Sequence, residues 1–250
     1  MSGTVGSTGG DGAGGSADTL VPEVQARVAA ALRPLLRRWL DLRVEGQEHV
    51  PTAGAVLLAS THQSHADSLA IATAVPRPVH FLGDRRLLGW PVVGRWLPRL
   101  GMVPLDRGEG DAVAISTVAR LLEDAACVVI YPEGSRSRDG RVHRLRSGLS
   151  RLAAAGRIPV VPVAVAGIHA VWPIGSAPRL RGGRVTVRFG PQLDPPLLAP
   201  ASRRAFNLGL QEALAGLART TTAPDLSPIR GGAEDIARHA AEDVSTEGRG

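Results

Sequence analysis

From residue 42 onward, short runs of nearly continuous apolar residues alternate with stretches in which apolar positions recur every three or four residues. The runs at 42–45, 55–59, 79–82, 103–105, 127–131, 160–166 and 184–189 are rich in Val, Leu and Ile and read as strands. The stretches at 67–74, 111–123, 148–155 and 203–218 read as helices. Strands apolar on both sides and separated by helices belong to a sheet covered on both faces. The predicted fold class is therefore α/β, with a mixed, mainly parallel sheet flanked by helices. Ahead of it, Val24, Val28, Leu32, Leu35, Leu36, Trp39 and Leu40 follow a helical period with Arg27, Arg33, Arg37 and Arg38 among them. This predicts an N-terminal amphipathic helix over 19–42, kinked or divided at Pro34. Two placements suit it: lying in a lipid headgroup region, or docking its apolar stripe on the domain.

The ends have a different composition. Residues 1–18 are Gly, Ser and Thr with scattered acids, too poor in apolar surface to order themselves, and read as a disordered leader. Residues 221–250 are polar and rich in Gly and Pro, a flexible tail with a short helical pattern at 233–243. That leaves 43–220 as one domain, a natural size for a single core. The single cysteine, Cys127, lies in an apolar run, which excludes an internal disulfide and a cysteine-rich zinc site and suits a reducing interior. No run approaches the roughly 20 uninterrupted apolar residues of a membrane span.

The net charge is +6, and all 29 basic residues are arginine. Lysine Schiff bases, lysine nucleophiles and phosphate-loop lysines are thus excluded, and any phosphate must be held by arginine, backbone amides or hydroxyls. A basic chain suits nucleic acid, phosphorylated metabolites or anionic lipid. One tyrosine and three phenylalanines leave few stacking platforms for single strands, so nucleic acid is the weakest of the three.

Candidate chemistry gathers where the strand-like runs break. After 55–59 comes Thr61-His62-Gln63-Ser64-His65-Ala66-Asp67-Ser68, which sets an imidazole and a carboxylate five residues apart. A His near neutral pKa can take a proton from a hydroxyl, and a carboxylate on its far nitrogen fixes the tautomer. A helix cap would use the same two residue types. A metal site built on His62, His65 and Asp67 is a rival reading, although two residues separate the histidines and no His follows Asp67. A second block, Tyr131-Pro132-Glu133-Gly134-Ser135-Arg136-Ser137, ends the run at 127–131, and a third, Asp106-Arg107, follows 103–105. All three fall at the carboxyl ends of predicted strands, where α/β sheets place their ligands.

In this order, together with Ile158-Pro159-Val160-Val161-Pro162-Val163, the blocks resemble those of the glycerolipid acyltransferase family over roughly residues 43–191. The resemblance implies a glycerol-3-phosphate acyltransferase-like fold and acyl transfer from acyl-CoA or acyl carrier protein to the hydroxyl of a lysophospholipid. The expected acceptor is 1-acylglycerol-3-phosphate and the product phosphatidic acid. It further implies His62 as general base and Asp67 as its orienting acid. Arg107, Glu133, Gly134, Ser135 and Arg136 would bind the phosphorylated acceptor, with no metal, no cofactor and no covalent acyl-enzyme. The partners expected are the lysophospholipid, the acyl donor and a membrane surface at its cytoplasmic face, with no nucleic acid. A lipid-binding module without catalysis is the remaining alternative. Asp84 departs from the family pattern, standing where many members carry a lysine. The segment Leu87-Leu88-Gly89-Trp90-Pro91-Val92-Val93-Gly94-Arg95-Trp96-Leu97 suits a membrane-facing lip, part of an acyl tunnel or a plain core helix.

Overall fold

The computed structural model describes residues 20–64, 66–106, 110–173, 176 and 183–219. The chain begins with α1 (Pro22–Leu40), then β1 (Arg43–Glu45), β2 (Val56–Ser60) and α2 (Asp67–Ala74). It continues with β3 (His80–Asp84), β4 (Met102–Leu105), α3 (Gly110–Glu123), β5 (Cys127–Ile130) and α4 (Gly148–Gly156). β6 (Val160–Ala166), α5 (Ile168–Val171), β7 (Thr186–Phe189) and α6 (Pro200–Ala218) complete it. The strands form one sheet in the order β1-β7-β6-β2-β5-β3-β4. All neighbours pair in parallel except β6 and β7. The expected α/β class with a mixed, mainly parallel sheet is what the chain forms.

Successive strand residues point to opposite faces, and both faces are covered. Val56, Leu58, Cys127, Val129, Val161 and Val163 pack with Leu36 and Leu40 of α1 and Ile71 of α2. On the other face Leu57, Ala59, Val128 and Val160 pack with Val118 of α3, Leu149 of α4 and Leu210 and Leu214 of α6. Two covered faces explain why these strands read as unbroken apolar runs rather than alternating ones. Cys127 lies wholly inside, where burial pushes its thiol up to about 12 despite nearby Arg77, so it serves as packing.

Three readings that the sequence left open are narrowed. First, α1 runs through Pro34 as one helix and is not divided there. Proline removes only one N–H, and contacts on both sides hold the helix in place. Leu36 and Leu40 are buried, while the Gln25 amide donates to Val79 O and Leu100 O and accepts from Val79 N at 2.7–2.9 Å. Second, the stripe of Leu32, Leu36, Trp39 and Leu40 docks on the core, so that face of the helix is not the one offered to lipid. Arg33 adds two bonds to Thr73 O at the end of α2. Third, residues 85–100 form short 3-10 turns at Arg85–Gly89, Gly94–Trp96 and Pro98–Leu100 instead of a core helix. The helical pattern at 233–243 lies outside the described residues.

Gln25 is a buried polar side chain whose three bonds are all made to backbone far away in sequence. Replacing it by Leu leaves Val79 N–H and two carbonyls buried without partners, at a cost of about 3 kcal/mol. A urea titration of Gln25→Leu should show a lowered midpoint with an unchanged slope.

Candidate active site

The central strand β2 ends at Ser60, and a turn leads from it into α2, which begins at Asp67. That turn is made by one carboxylate. Asp67 is fully buried in the first turn of α2, and its Oδ2 accepts from the backbone N–H of Gln63 at 2.7 Å and of Ser64 at 2.9 Å. The same oxygen lies 3.0 Å from His62 Nδ1. With two N–H bonds already directed at it, Oδ2 serves as an acceptor, so Nδ1 is the donor and the lone pair sits on Nε2. The same carboxylate therefore ties the turn and orients the ring. Asp67 Oδ1 is buried and has no partner among the described residues.

The neighbouring strand supplies the second half. In the β2–β5 register Ala59 faces Ile130, so the residues that follow each strand emerge side by side. Tyr131 stacks on the His62 ring with centroids 3.9 Å apart and planes inclined by 17°. Its hydroxyl bonds Ser68 Oγ at 2.7 Å. Burial, with the Asp67 charge adding to it, raises the phenol well above its ordinary range and keeps it neutral. His62 is thus fixed at Nδ1 and on one face, with 22 % of its side chain still exposed.

Glu133 is buried beneath the same loop. Its Oε1 accepts from His62 N–H at 3.4 Å and its Oε2 from His143 N–H at 3.0 Å. Ser137 N–H donates to His62 O at 2.7 Å, and Gln63 Nε2 to Gly140 O at 2.9 Å. The loop after β5 therefore grips the His62 turn from several sides. Burial is the main cause that raises the Glu133 carboxyl to about 7, with the Asp67 charge adding to it and the bonds from His143 and His62 opposing. Glu133 thus ties two loops together from beneath the site.

Gly134 has a φ of 75°, and a Cβ there would run into the Arg146 side chain. Arg146 N–H donates to Pro132 O at 2.8 Å, so this turn carries a guanidinium laid against the glycine. Ser135 is exposed on the turn and Arg136 is half-buried after it. Arg107 and His65 lie outside the described residues. Asp106 pairs with Arg85 at 2.7–2.8 Å, and Asp84 accepts from Arg86 N–H at 2.8 Å, capping the 3-10 turn that follows β3. Among the described residues no three His, Cys, Asp or Glu side chains are placed to hold a metal ion. Sequence reasoning assigned no role to Tyr131 or Ser68. The position of Tyr131 at the last residue of an apolar run, immediately before Pro132-Glu133-Gly134, was the one available signal.

A family model described as Acyltransferase matches residues 41–166, just over half of the chain, and includes every element of this site. The chain belongs to the acyltransferase family. Its relatives include a 1-acyl-sn-glycerol-3-phosphate acyltransferase of Limnanthes douglasii, 26 % identical over 62 % of this chain and 55 % of that protein. One of the same description from Bacillus subtilis is 26 % identical over 56 % and 69 %. The alpha form from Ovis aries is 29 % identical over 64 % and 57 %. The chain spans about half the length of most of the curated relatives it matches. The crystal structure of the 1-acyl-sn-glycerophosphate acyltransferase PlsC from Thermotoga maritima matches with a TM-score of 0.63 and 22 % identity, over 78 % of this chain and 81 % of that one. This family member therefore shares the PlsC fold.

Glu133 makes folding sensitive to pH. Between its ordinary 4.5 and about 7 the folded chain holds a proton that the unfolded chain has released. Stability from this group is therefore complete below pH 4.5 and lost as pH rises through about 7, on the order of 3 kcal/mol in all. Glu133→Gln, which keeps the shape and stays neutral, should flatten that slope when urea midpoints are measured from pH 4.5 to 8.

Proposed function

We propose that this chain moves a fatty acyl group from acyl-CoA or acyl carrier protein to the hydroxyl of 1-acylglycerol-3-phosphate, giving phosphatidic acid. The observation that carries the proposal is the 3.0 Å bond from His62 Nδ1 to the buried Asp67, which leaves a basic Nε2 on the exposed side of the ring. The family membership and the names of the relatives support the same reaction. In it, Nε2 removes the acceptor proton as the hydroxyl oxygen attacks the thioester carbonyl carbon. The resulting imidazolium is stabilised by Asp67. Collapse of the tetrahedral intermediate breaks the carbon–sulfur bond, and the leaving thiolate takes the proton back from His62. The chain's own groups supply base and orientation, so the sequence needs no nucleophilic side chain. Arg146, held at Gly134 beside the site, is the cation we assign to the acceptor's phosphate.

The acceptor is amphipathic and resides in a bilayer, so the site must reach one. We assign peripheral membrane contact to the turns between β3 and β4. Val92 is 73 % and Trp90 54 % exposed there, with Val93 and Trp96 also outward. Arg95 and Arg99 lie over the Trp96 ring at 5.7 and 5.4 Å, so apolar anchors and cations share one surface. No helix among the described residues is long and apolar enough to cross a membrane.

Two experiments test this. His62→Ala should lower the transfer of label from acyl-CoA to lysophosphatidic acid by roughly 10²- to 10⁴-fold. Asp67→Asn should lose activity as well, because an amide in the same place no longer stabilises the imidazolium. Transfer retained by His62→Ala would overturn the assignment of the base. Separately, Trp90→Ala combined with Trp96→Ala should weaken sedimentation with phosphatidylglycerol vesicles by about tenfold. Undiminished vesicle binding would move the membrane contact elsewhere.

A further inference from the structure

A groove of about 1070 Å³ runs between the start of α4 and the start of α6. Arg144, Arg151, Arg203 and Arg204 line it, and Glu212 is the one acidic residue along it among those described. Leu198 and Leu208 stand on the same groove, 69 % and 56 % exposed. Arg203 Nε is buried with no hydrogen-bond partner among the described residues, an expensive arrangement for a donor on a cation. The groove belongs to the same end of the sheet as His62. Arg144 and Ser147, which line it, flank Arg146, whose N–H reaches Pro132 O in the turn beside the base.

This combination selects among polyanions. No Trp, Tyr, Phe or His lines the groove, so a purine base finds no face to stack on. Exposed leucines set among arginines instead complement a helix that carries carboxylates on one face and apolar side chains beside them. A concave site also fits a helix better than it fits a planar bilayer. We propose that the groove docks the acidic helical face of acyl carrier protein and so delivers the acyl thioester to His62. The cargo rests on the acyl-transfer reading above, while the docking itself is measurable without turnover.

The test is a titration of fluorescently labelled acyl carrier protein with the full chain, followed by anisotropy at low and raised salt. Saturable binding that weakens with salt is expected, since exposed charge pairs are screened. The double variant Arg203→Glu/Arg204→Glu should bind about tenfold more weakly or worse. Its thermal melt is compared with the parent's, and Arg151→Glu, on the exposed side of α4, is the second variant should the first melt early. No saturable binding by the parent, or binding by both variants within about twofold of it, would overturn the proposal. In turnover, the loss of kcat/KM with the acyl-carrier donor should exceed the loss with acyl-CoA by about tenfold. Equal losses would overturn it as well and assign the arginines to coenzyme phosphates. Docking without transfer from either donor would instead sink the acyl-transfer reading and leave the groove's assignment standing.

Discussion

A single carboxylate oxygen organises this site. Asp67 Oδ2 receives the N–H groups of Gln63 and Ser64 and the Nδ1–H of His62, and it does so from full burial. A buried charge is tolerated only when donors surround it, and here the three donors come from the five residues that precede it in the chain. The start of α2 adds its positive dipole end at the same point. Burial, helix start and imidazole orientation are consequently one arrangement. The helix in turn is seated by Ala70, Ile71 and Ala74 against the sheet, so the orientation of a polar ring depends on apolar packing a turn away.

The sheet register extends that arrangement to the second loop. Because β2 and β5 are adjacent and parallel, both breaks in their apolar runs fall at the same end, and Tyr131 and Glu133 arrive against His62. The two buried carboxyl groups have different sets of donors. Asp67 has three donors on one oxygen, whereas Glu133 has one backbone N–H at each oxygen, one of them at 3.4 Å. Burial, with the neighbouring Asp67 charge adding to it, raises Glu133 to about 7.

How much of this was legible in the sequence follows from the range of each interaction. The strands were readable because a sheet covered on both faces needs continuous apolar residues, and β6 matches its expected limits at both ends. His62 and Asp67 were readable because their contact closes within one turn of chain. The stack of Tyr131 on His62 joins residues on separate strands and depends on strand order, which no local pattern encodes. The same holds for Gln25, a polar residue among helical apolar positions, whose partners Val79 and Leu100 lie 54 and 75 residues away. The amphipathic stripe of α1 was legible as a stripe, but its partner was not, because lipid and a protein core ask the same apolar spacing of a helix. Packing of Leu36 and Leu40 decides for the core on that face.

Asp84 shows how a departure from the family pattern is accommodated. Where many members carry a cation, this chain has an acid, and taken alone that would repel a phosphate. Yet the carboxylate is turned onto Arg86 N–H as the cap of a 3-10 turn, and Arg85 beside it is engaged with Asp106. Both acids are therefore met locally by donors, and their field at a distance is reduced accordingly. In the proposed reaction, cationic recognition would fall to the opposite loop, where the left-handed Gly134 leaves room for Arg146 against the turn. A side chain at that glycine would be strained by its own backbone and would displace the guanidinium, so two independent physical reasons favour glycine there. With no lysine anywhere in the chain, the proposed acceptor phosphate would be met by planar forks, which hold two oxygens in fixed geometry where an ammonium would hold them only by charge.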